Sequence, residues 1–279
     1  MRNSRLAILL ALLGALPLWG KTWTRSFEVH GRPEVHIAAH NAAISVQAWN
    51  QPNVQIEIVS RAWGSESNAF EADAHQSGNL ISLQLRTPSQ FFSFGGRSIH
   101  ITVETPSPAN LVLDSTNGAL RVQGIAGELE LNTTNGSIHT RDTSGELRSY
   151  TTNGAIQISG GNGNIRAHTT NGSLRLRGRL SGLQAQSSNG SMHIVAEEGS
   201  RVSSRWTLTS GNGSIHLRLP RDLSARLETR TGLGSAHCSL PLKQNTSNNS
   251  ISRHELSGTL NQGGGVIAIR TGNGSVRID

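Results

Sequence analysis

Cysteine is almost missing from this chain: Cys238 is the only one in 279 residues. An internal disulfide is therefore excluded, and Cys238 reads as a small residue in a strand over 236–240. Lysine is nearly as scarce, with Lys21 and Lys243 alone, so the basic character rests on arginine. Aromatic residues make up 4% of the chain, which excludes a deep globular core of the kind that encloses an active site. After residue 20 almost nothing has the spacing of an amphipathic helix. There is no complete Gly-x-x-x-x-Gly-Lys-Ser/Thr phosphate loop, no serine nucleophile elbow and no His/Cys/Asp grouping at metal-ligand spacing. Paired carboxylates for glycoside hydrolysis are lacking too: Asp114 and Asp142 stand apart in the pattern described below. No catalytic residue, cofactor site or metal site is expected.

What the chain has in excess is glycine, 31 residues, and much of it is periodic. Asn-Gly pairs fall at Asn117-Gly118, Asn135-Gly136, Asn153-Gly154, Asn171-Gly172 and Asn189-Gly190, each 18 residues after the last. Two hydroxyl residues precede each pair, from Ser115-Thr116 to Ser187-Ser188. A looser set, Gly127, Gly145, Gly163 and Gly182, lies midway, with one extra residue before Gly182. Short alternating runs follow each glycine set, such as Ala119–Val122 and Glu128–Leu131. Period two with an apolar residue at every second place is a strand with one buried face.

Two architectures fit this punctuation. A meander of hairpins would place Asn-Gly in tight turns, where both residues accept positive φ. A β-solenoid would lay each coil on the last, with equivalent residues about 4.8 Å apart. Only stacking requires identity at a fixed offset. The position two after each Asn-Gly glycine is always Leu, Ile or Met (120, 138, 156, 174, 192), which favours stacking. The expected fold is all-β: a single-stranded β-solenoid of about 18 residues per coil with short two-sheet coils. Thr134, Thr152, Thr170 and Ser188 are expected to face inward and bond the turn backbone.

The chain divides into three parts on this reading. Residues 1–20 have a basic start and an apolar run, Leu6 to Trp19. That run is short of the roughly 20 residues of a membrane span, so it reads as a signal peptide, with an uncleaved anchor as the alternative. Residues 21–110 form a β-rich N-terminal cap and first coils, and 63–75 read as a polar stretch, a candidate loop. Residues 111–279 form the solenoid, with irregular C-terminal coils and a repeat-like last unit, Thr271–Ile278. Export to the periplasm or cell surface follows from the leader.

Net charge is +7, so anionic partners are expected. Stacking turns sequence offsets into rows. Arg121, His139, Gln157, Arg175, His193 and His216 would form one outward row, and Gln123, Arg141, Ser159, Arg177, Val195 and Arg218 a second. Together they make a ribbon without a carboxylate. Its candidate polyanion-binding residues are Arg121, His139, Arg141, Arg175, Arg177, His193, His216 and Arg218, with arginine forks meeting anionic groups. The histidines would add charge below about pH 6.5. The bland reading of the same ribbon is a solvated face whose charges deter strand addition. The other sheet offers mixed rows, Glu128, Glu146, Asn164, Gln184 and Glu130, Arg148, Arg166, Gln186. Phe91, Phe92 and Phe94 mark a candidate binding loop, or a cover for the end of the stack.

The repeated Thr-Thr-Asn-Gly unit, Val103–Pro106, Ser115–Gly118 and Leu217–Ala225 resemble the large bacterial family of putative adhesins with a DUF4097-type, β-solenoid-like domain of unknown function. The resemblance spans about residues 25–279. It implies the solenoid fold and an envelope setting, and it brings no catalytic or ligand residues. The function expected is non-enzymatic binding or scaffolding at the cell envelope, with anionic polysaccharide as partner and no specific nucleic acid. An envelope assembly or stress-response module that binds protein is one alternative, and a polysaccharide-active enzyme is another.

Overall fold

An 18-residue period makes like residues neighbours only if each coil lies in register on the next, and the backbone does this. The computed structural model describes residues 20–61, 70–86, 98–243 and 253–279. Residues 1–19, 62–69, 87–97 (with Phe91, Phe92 and Phe94) and 244–252 lie outside the described residues. Among the described residues there are 23 strands and no helix. No helix long and apolar enough to cross a membrane occurs among them.

The first strands in chain order are β1 (Gly20–Glu28), β2 (Glu34–Ala39), β3 (Ala42–Trp49), β4 (Asn53–Arg61), β5 (Glu71–Ser77), β6 (Leu80–Arg86) and β7 (Ser98–Pro106). The regular coils follow: β8 (Asn110–Ser115), β9 (Leu120–Gln123), β10 (Ala126–Thr133), β11 (Ile138–Arg141), β12 (Ser144–Thr151), β13 (Ile156–Thr169), β14 (Leu174–Ser187) and β15 (Met192–Ala196). The chain ends with β16 (Arg205–Ser210), β17 (Ile215–Arg218), β18 (Ala225–Thr231), β19 (Ala236–Cys238), β20 (Leu242–Lys243), β21 (Glu255–Leu260), β22 (Val266–Thr271) and β23 (Val276–Ile278).

Each coil gives one strand to each of two rows of parallel pairings. One row runs β8, β10, β12, the second half of β13, the second half of β14 and β16. The other runs β9, β11, the first halves of β13 and β14, β15 and β17. Register is kept at one coil per 18 residues through Ile138↔Ile156 and Ile156↔Leu174. Two bulges interrupt it, where Gly160 in β13 and Ser181 in β14 have no partner, and they cancel each other. The extra residue before Gly182 is thus absorbed locally.

The interior is a set of stacked apolar rows. Leu120, Ile138, Ile156, Leu174, Met192, Ile215 and Val276 are each at most 1% exposed. Each such side chain contributes roughly 1.5–3 kcal/mol of burial. Trp206, fully buried, pairs in register with Ile267. A thin core needs few aromatics, which is why a chain so poor in them folds this way.

The turns differ from expectation in two respects. None of the five periodic turn glycines, Gly118, Gly136, Gly154, Gly172 and Gly190, has positive φ. They are required because stacked turns nearly touch: a Cβ on Gly154 would stand 1.9 Å from the Gly136 carbonyl oxygen. The buried hydroxyl is also the first of each pair, not the second. Thr133, Thr151 and Thr169 donate to the carbonyls of Gly118, Gly136 and Gly154 at 2.9–3.0 Å, while Thr134 and Thr152 are exposed. Inward-facing positions continue the strand alternation through Thr133, and the turn begins only after it.

Asparagines close the turns. Side-chain amides bond coil to coil in one line, Asn117 to Asn41, Asn135 to Asn117, Asn153 to Asn135, Asn171 to Asn153, Asn189 to Asn171, Asn212 to Asn189 and Asn273 to Asn212, at 2.6–2.9 Å. Leu233, 81% exposed, takes the next place, since its amide N–H bonds the carbonyl of Gly272, and there the ladder stops.

This order of rungs exposes a departure from sequence order at both ends. The segment of β2 and β3 lies between the strands β6 and β7 and the coil of β8 and β9. The segment of β22 and β23 lies between the coil of β16 and β17 and that of β18 and β19. Antiparallel strands occur outside these inserted coils: β1 with β4, β4 with β7, β5 with β6, and β18 with β21. Strand β5 corrects the reading of 63–75 as a loop, at least for its second half. Its side chains are mostly exposed because it pairs on one side only, so no alternating pattern marks it.

Candidate functional site

The two outward rows expected on the sheet of β9, β11 and β15 exist in register. Arg121 pairs with His139, His139 with Gln157, Gln157 with Arg175, Arg175 with His193, and His193 with His216. Beside them Gln123, Arg141, Ser159, Arg177, Val195 and Arg218 are neighbours in the same way. Strands place these side chains outward because the alternate positions, such as Leu120, Val122, Ile138 and Thr140, are buried. All eight candidate residues therefore share one face.

The ribbon is not free of carboxylates, contrary to expectation. The loop after β15 carries Glu197 back to Arg177, with Oε1 2.7 Å from Nε. The inserted β23 brings Asp279 beside His216 at 2.7 Å and beside Arg277 at 2.9 Å. Neither contact follows the 18-residue offset, which is why the rows alone do not reveal them. Arg277, His216 and Ser239 hold the Asp279 carboxyl well below the usual carboxylate range. Among the described residues no carboxylate lies within ion-pair distance of Arg121, Arg141, Arg175 or Arg218.

Two of the ribbon's histidines, His139 and His193, are held below the ordinary imidazole range. Partial burial, then Arg121, lowers the His139 pKa. Partial burial, then His216, Arg218 and Arg175, lowers that of His193. The rings of His193 and His216 stand edge to face with centroids 4.8 Å apart. No group of three His, Cys, Asp or Glu side chains able to hold a metal occurs among the described residues.

At the N-terminal end of the ribbon the face hollows into a groove of about 410 Å³. Arg121 and Arg141 line it together with Gln47, Gln123, Gln157 and Ser159. Two unpaired guanidiniums and three amides make a surface suited to carboxylate, sulfate or phosphate oxygens, with hydroxyl groups between them.

On the opposite sheet the 18-residue offset resumes after Ser181, and the expected rows fail there. Gln184 neighbours Arg166, and Gln186 neighbours His168, so Gln184 does not join the row of Glu128. Glu146 is shared between Arg148, at 2.8 Å, and Arg166. The expected rows also omitted a third one, Asp114, Asn132, Tyr150 and His168. The signal was present, because these four positions follow one another at 18 residues.

Stacked in-register coils with a basic ribbon along one sheet define a β-solenoid-like domain. The chain belongs to the Toastrack DUF4097 family, whose model matches residues 33–279. A solved structure of a putative adhesin from Bacteroides fragilis is similar in fold, with a TM-score of 0.50 and 12% identity, covering 93% of this chain and 97% of that one. A putative adhesin from Parabacteroides merdae matches at a TM-score of 0.33 and 10% identity, over 93% and 96% of the two chains. A putative cell adhesion protein from Clostridium sporogenes matches at 0.30 and 11%, over 93% and 99%. No curated protein matches the chain in sequence.

Proposed function

We propose that this protein is a non-enzymatic binding protein of the cell envelope, exported to the periplasm or cell surface, that holds an anionic polysaccharide along its basic sheet. The observation that carries this reading is the pair Arg121 and Arg141, without an ion pair among the described residues, in a groove whose other polar side chains are amides, hydroxyls and the His139 imidazole. Arg121 and Arg141 stand on adjacent coils, two positions apart along the strand, and a bound polyanion offsets the repulsion between their charges. The ladder of coils also repeats the offered chemistry along one direction, which suits an extended polymer with repeated charges. Arg175 and Arg218 extend the surface beyond the groove, whereas Arg177 is held by Glu197.

The test is calorimetric titration with polygalacturonate, with dextran as the uncharged control. Polygalacturonate should bind, weaken steeply between about 0.05 and 0.5 M salt, and lose about tenfold or more in affinity in Arg121→Gln/Arg141→Gln. Equal binding of dextran, or unchanged affinity in the double variant, would sink the proposal.

A further inference from the structure

The sheet opposite the basic ribbon carries a second groove, of about 650 Å³, spread over the strands from β6 to β13. Its floor is the row Asp114, Asn132, Tyr150 and His168, whose side chains stand on successive coils. Its rim is a parallel row of threonines, Thr116, Thr134, Thr152 and Thr170, the second members of the hydroxyl pairs. We infer that this groove is a binding site for an uncharged saccharide, laid along the stack with one sugar ring over Tyr150.

Tyr150 supplies the platform. It is the only tyrosine of the chain, and at 38% exposure it presents a large ring to solvent on an otherwise polar sheet. His168 stands beside it, ring centroids 6.3 Å apart and planes tilted by 40°, so the two rings form a shallow corner and not a closed stack. A flat, weakly polar surface of this kind takes the C–H face of a sugar ring, and the phenol remains able to bond a hydroxyl.

The polar groups around the ring are set as acceptors. Asn132 spends its amide hydrogens inside the protein, donating to Asp114 Oδ1 at 2.9 Å and to Glu130 Oε1 at 3.2 Å. Its own oxygen is therefore left to face a ligand donor, as is the second oxygen of Asp114. These two acceptors stand on neighbouring coils, where each can meet a separate hydroxyl. The threonine rim adds hydroxyls that both donate and accept, one on each of four coils.

Other ligand classes fit poorly. One carboxylate, Asp114, and one guanidinium, Arg86, balance the groove, so it has no net attraction for a polyanion. Its apolar surface is one tyrosine ring with the nearly buried Leu85 and alanine and threonine methyls, too little for a lipid tail. An extended peptide binds a sheet through the backbone groups of an open edge, and here the strands beneath are paired on both sides. This site is independent of the basic ribbon, which lies on the other sheet.

Binding of maltohexaose, cellohexaose and chitohexaose to the full chain, read by saturation-transfer NMR and calorimetry, tests the inference. At least one hexasaccharide should bind, and its affinity should change less than twofold when salt rises to about 0.5 M. Tyr150→Ala should weaken it by about tenfold, whereas Tyr150→Phe should retain it within about threefold. Arg121→Gln should leave it unchanged, so the two faces are scored separately. Tyr150 points outward, and unchanged melting of the variants will show that the fold survives. Silence of all three sugars, binding indifferent to Tyr150→Ala, or binding removed by salt would each overturn the assignment.

Discussion

Asn273 donates its side-chain amide to Asn212, 2.6 Å away, although 61 residues separate them in the chain. The last turn therefore rests on the coil of β16 and β17, and the coil made between them, β18 and β19, is pushed one place outward. Strand β18 owes its parallel neighbour to β22, not to β16.

A chain ended after Asn261 loses both β22 and β23. Amide exchange over 225–260 should then accelerate by orders of magnitude, because β18 and β19 lose their parallel partners, while the coils from β8 to β15 keep their protection. Mass-spectrometric exchange on the two chains measures this. Undiminished protection over 225–260 would mean that β18 docks on β16 unaided, and the insertion would have no structural weight.

Two glycines separate space from backbone angle. Gly154 has no room for a Cβ, which would meet a backbone oxygen at 1.9 Å, and no positive φ to defend. Gly31 has a φ of 82° and nothing within 4 Å. Gly31→Ala should cost about 1–2 kcal/mol, the ordinary strain of a left-handed alanine. Gly154→Ala should cost more, about 3 kcal/mol or above, because two stacked coils must part and their ladder bonds stretch. Urea unfolding of both variants ranks them, and a larger loss at Gly31 would contradict the stacking account of the turn.

That comparison also shows where the sequence was legible. An identical Thr-Thr-Asn-Gly every 18 residues demands in-register stacking, and rows such as Arg121, His139 and Gln157 follow from arithmetic alone. The reason for each Asn-Gly glycine did not follow, because a glycine demanded by a neighbouring coil looks the same as one demanded by positive φ. Insertions were hidden as well. Nothing in Thr271–Ile278 says that it enters the stack before the coil of β18, since the same signature fits any rung. Asp279 reached His216, and Glu197 reached Arg177, through that irregular part of the chain. The Tyr150 row was readable at the same offset, but its meaning needed the groove.

Asparagine-glycine sequences lose ammonia when the next backbone nitrogen can swing onto the side-chain carbonyl carbon. Interior rungs are held from both sides: Asn171 donates to Asn153 and accepts from Asn189. Asn273 donates to Asn212 but has Leu233 beyond it, so its carbonyl is held less. Native protein aged at mildly alkaline pH should deamidate first at Asn273 and much more slowly at Asn153 and Asn171, and urea should erase the difference. Peptide mapping by mass spectrometry reads the order. Interior sites deamidating as fast in the native as in the unfolded protein would argue against a rigid ladder.

Acid should move stability and anion binding in opposite directions. His139 and His193 have lowered pKa values in the folded chain, so the unfolded chain binds protons more readily as pH falls through about 6.5. Unfolding free energy then rises with pH in that window, and the melting temperature should drop between pH 7 and pH 5. Asp279 works in the same sense at lower pH, since its depressed pKa contributes stability above the unfolded value near 3.8 that is lost on further acidification. The same protons add charge to the ribbon, so polygalacturonate should bind more tightly at pH 5 than at pH 7 while the protein melts lower. His193→Gln should flatten both trends, by removing one group that charges and the repulsion it meets from His216, Arg218 and Arg175. Calorimetric melting and titration at the two pH values measure the pair, and parallel movement of stability and affinity would show that these histidines do not govern the acid response.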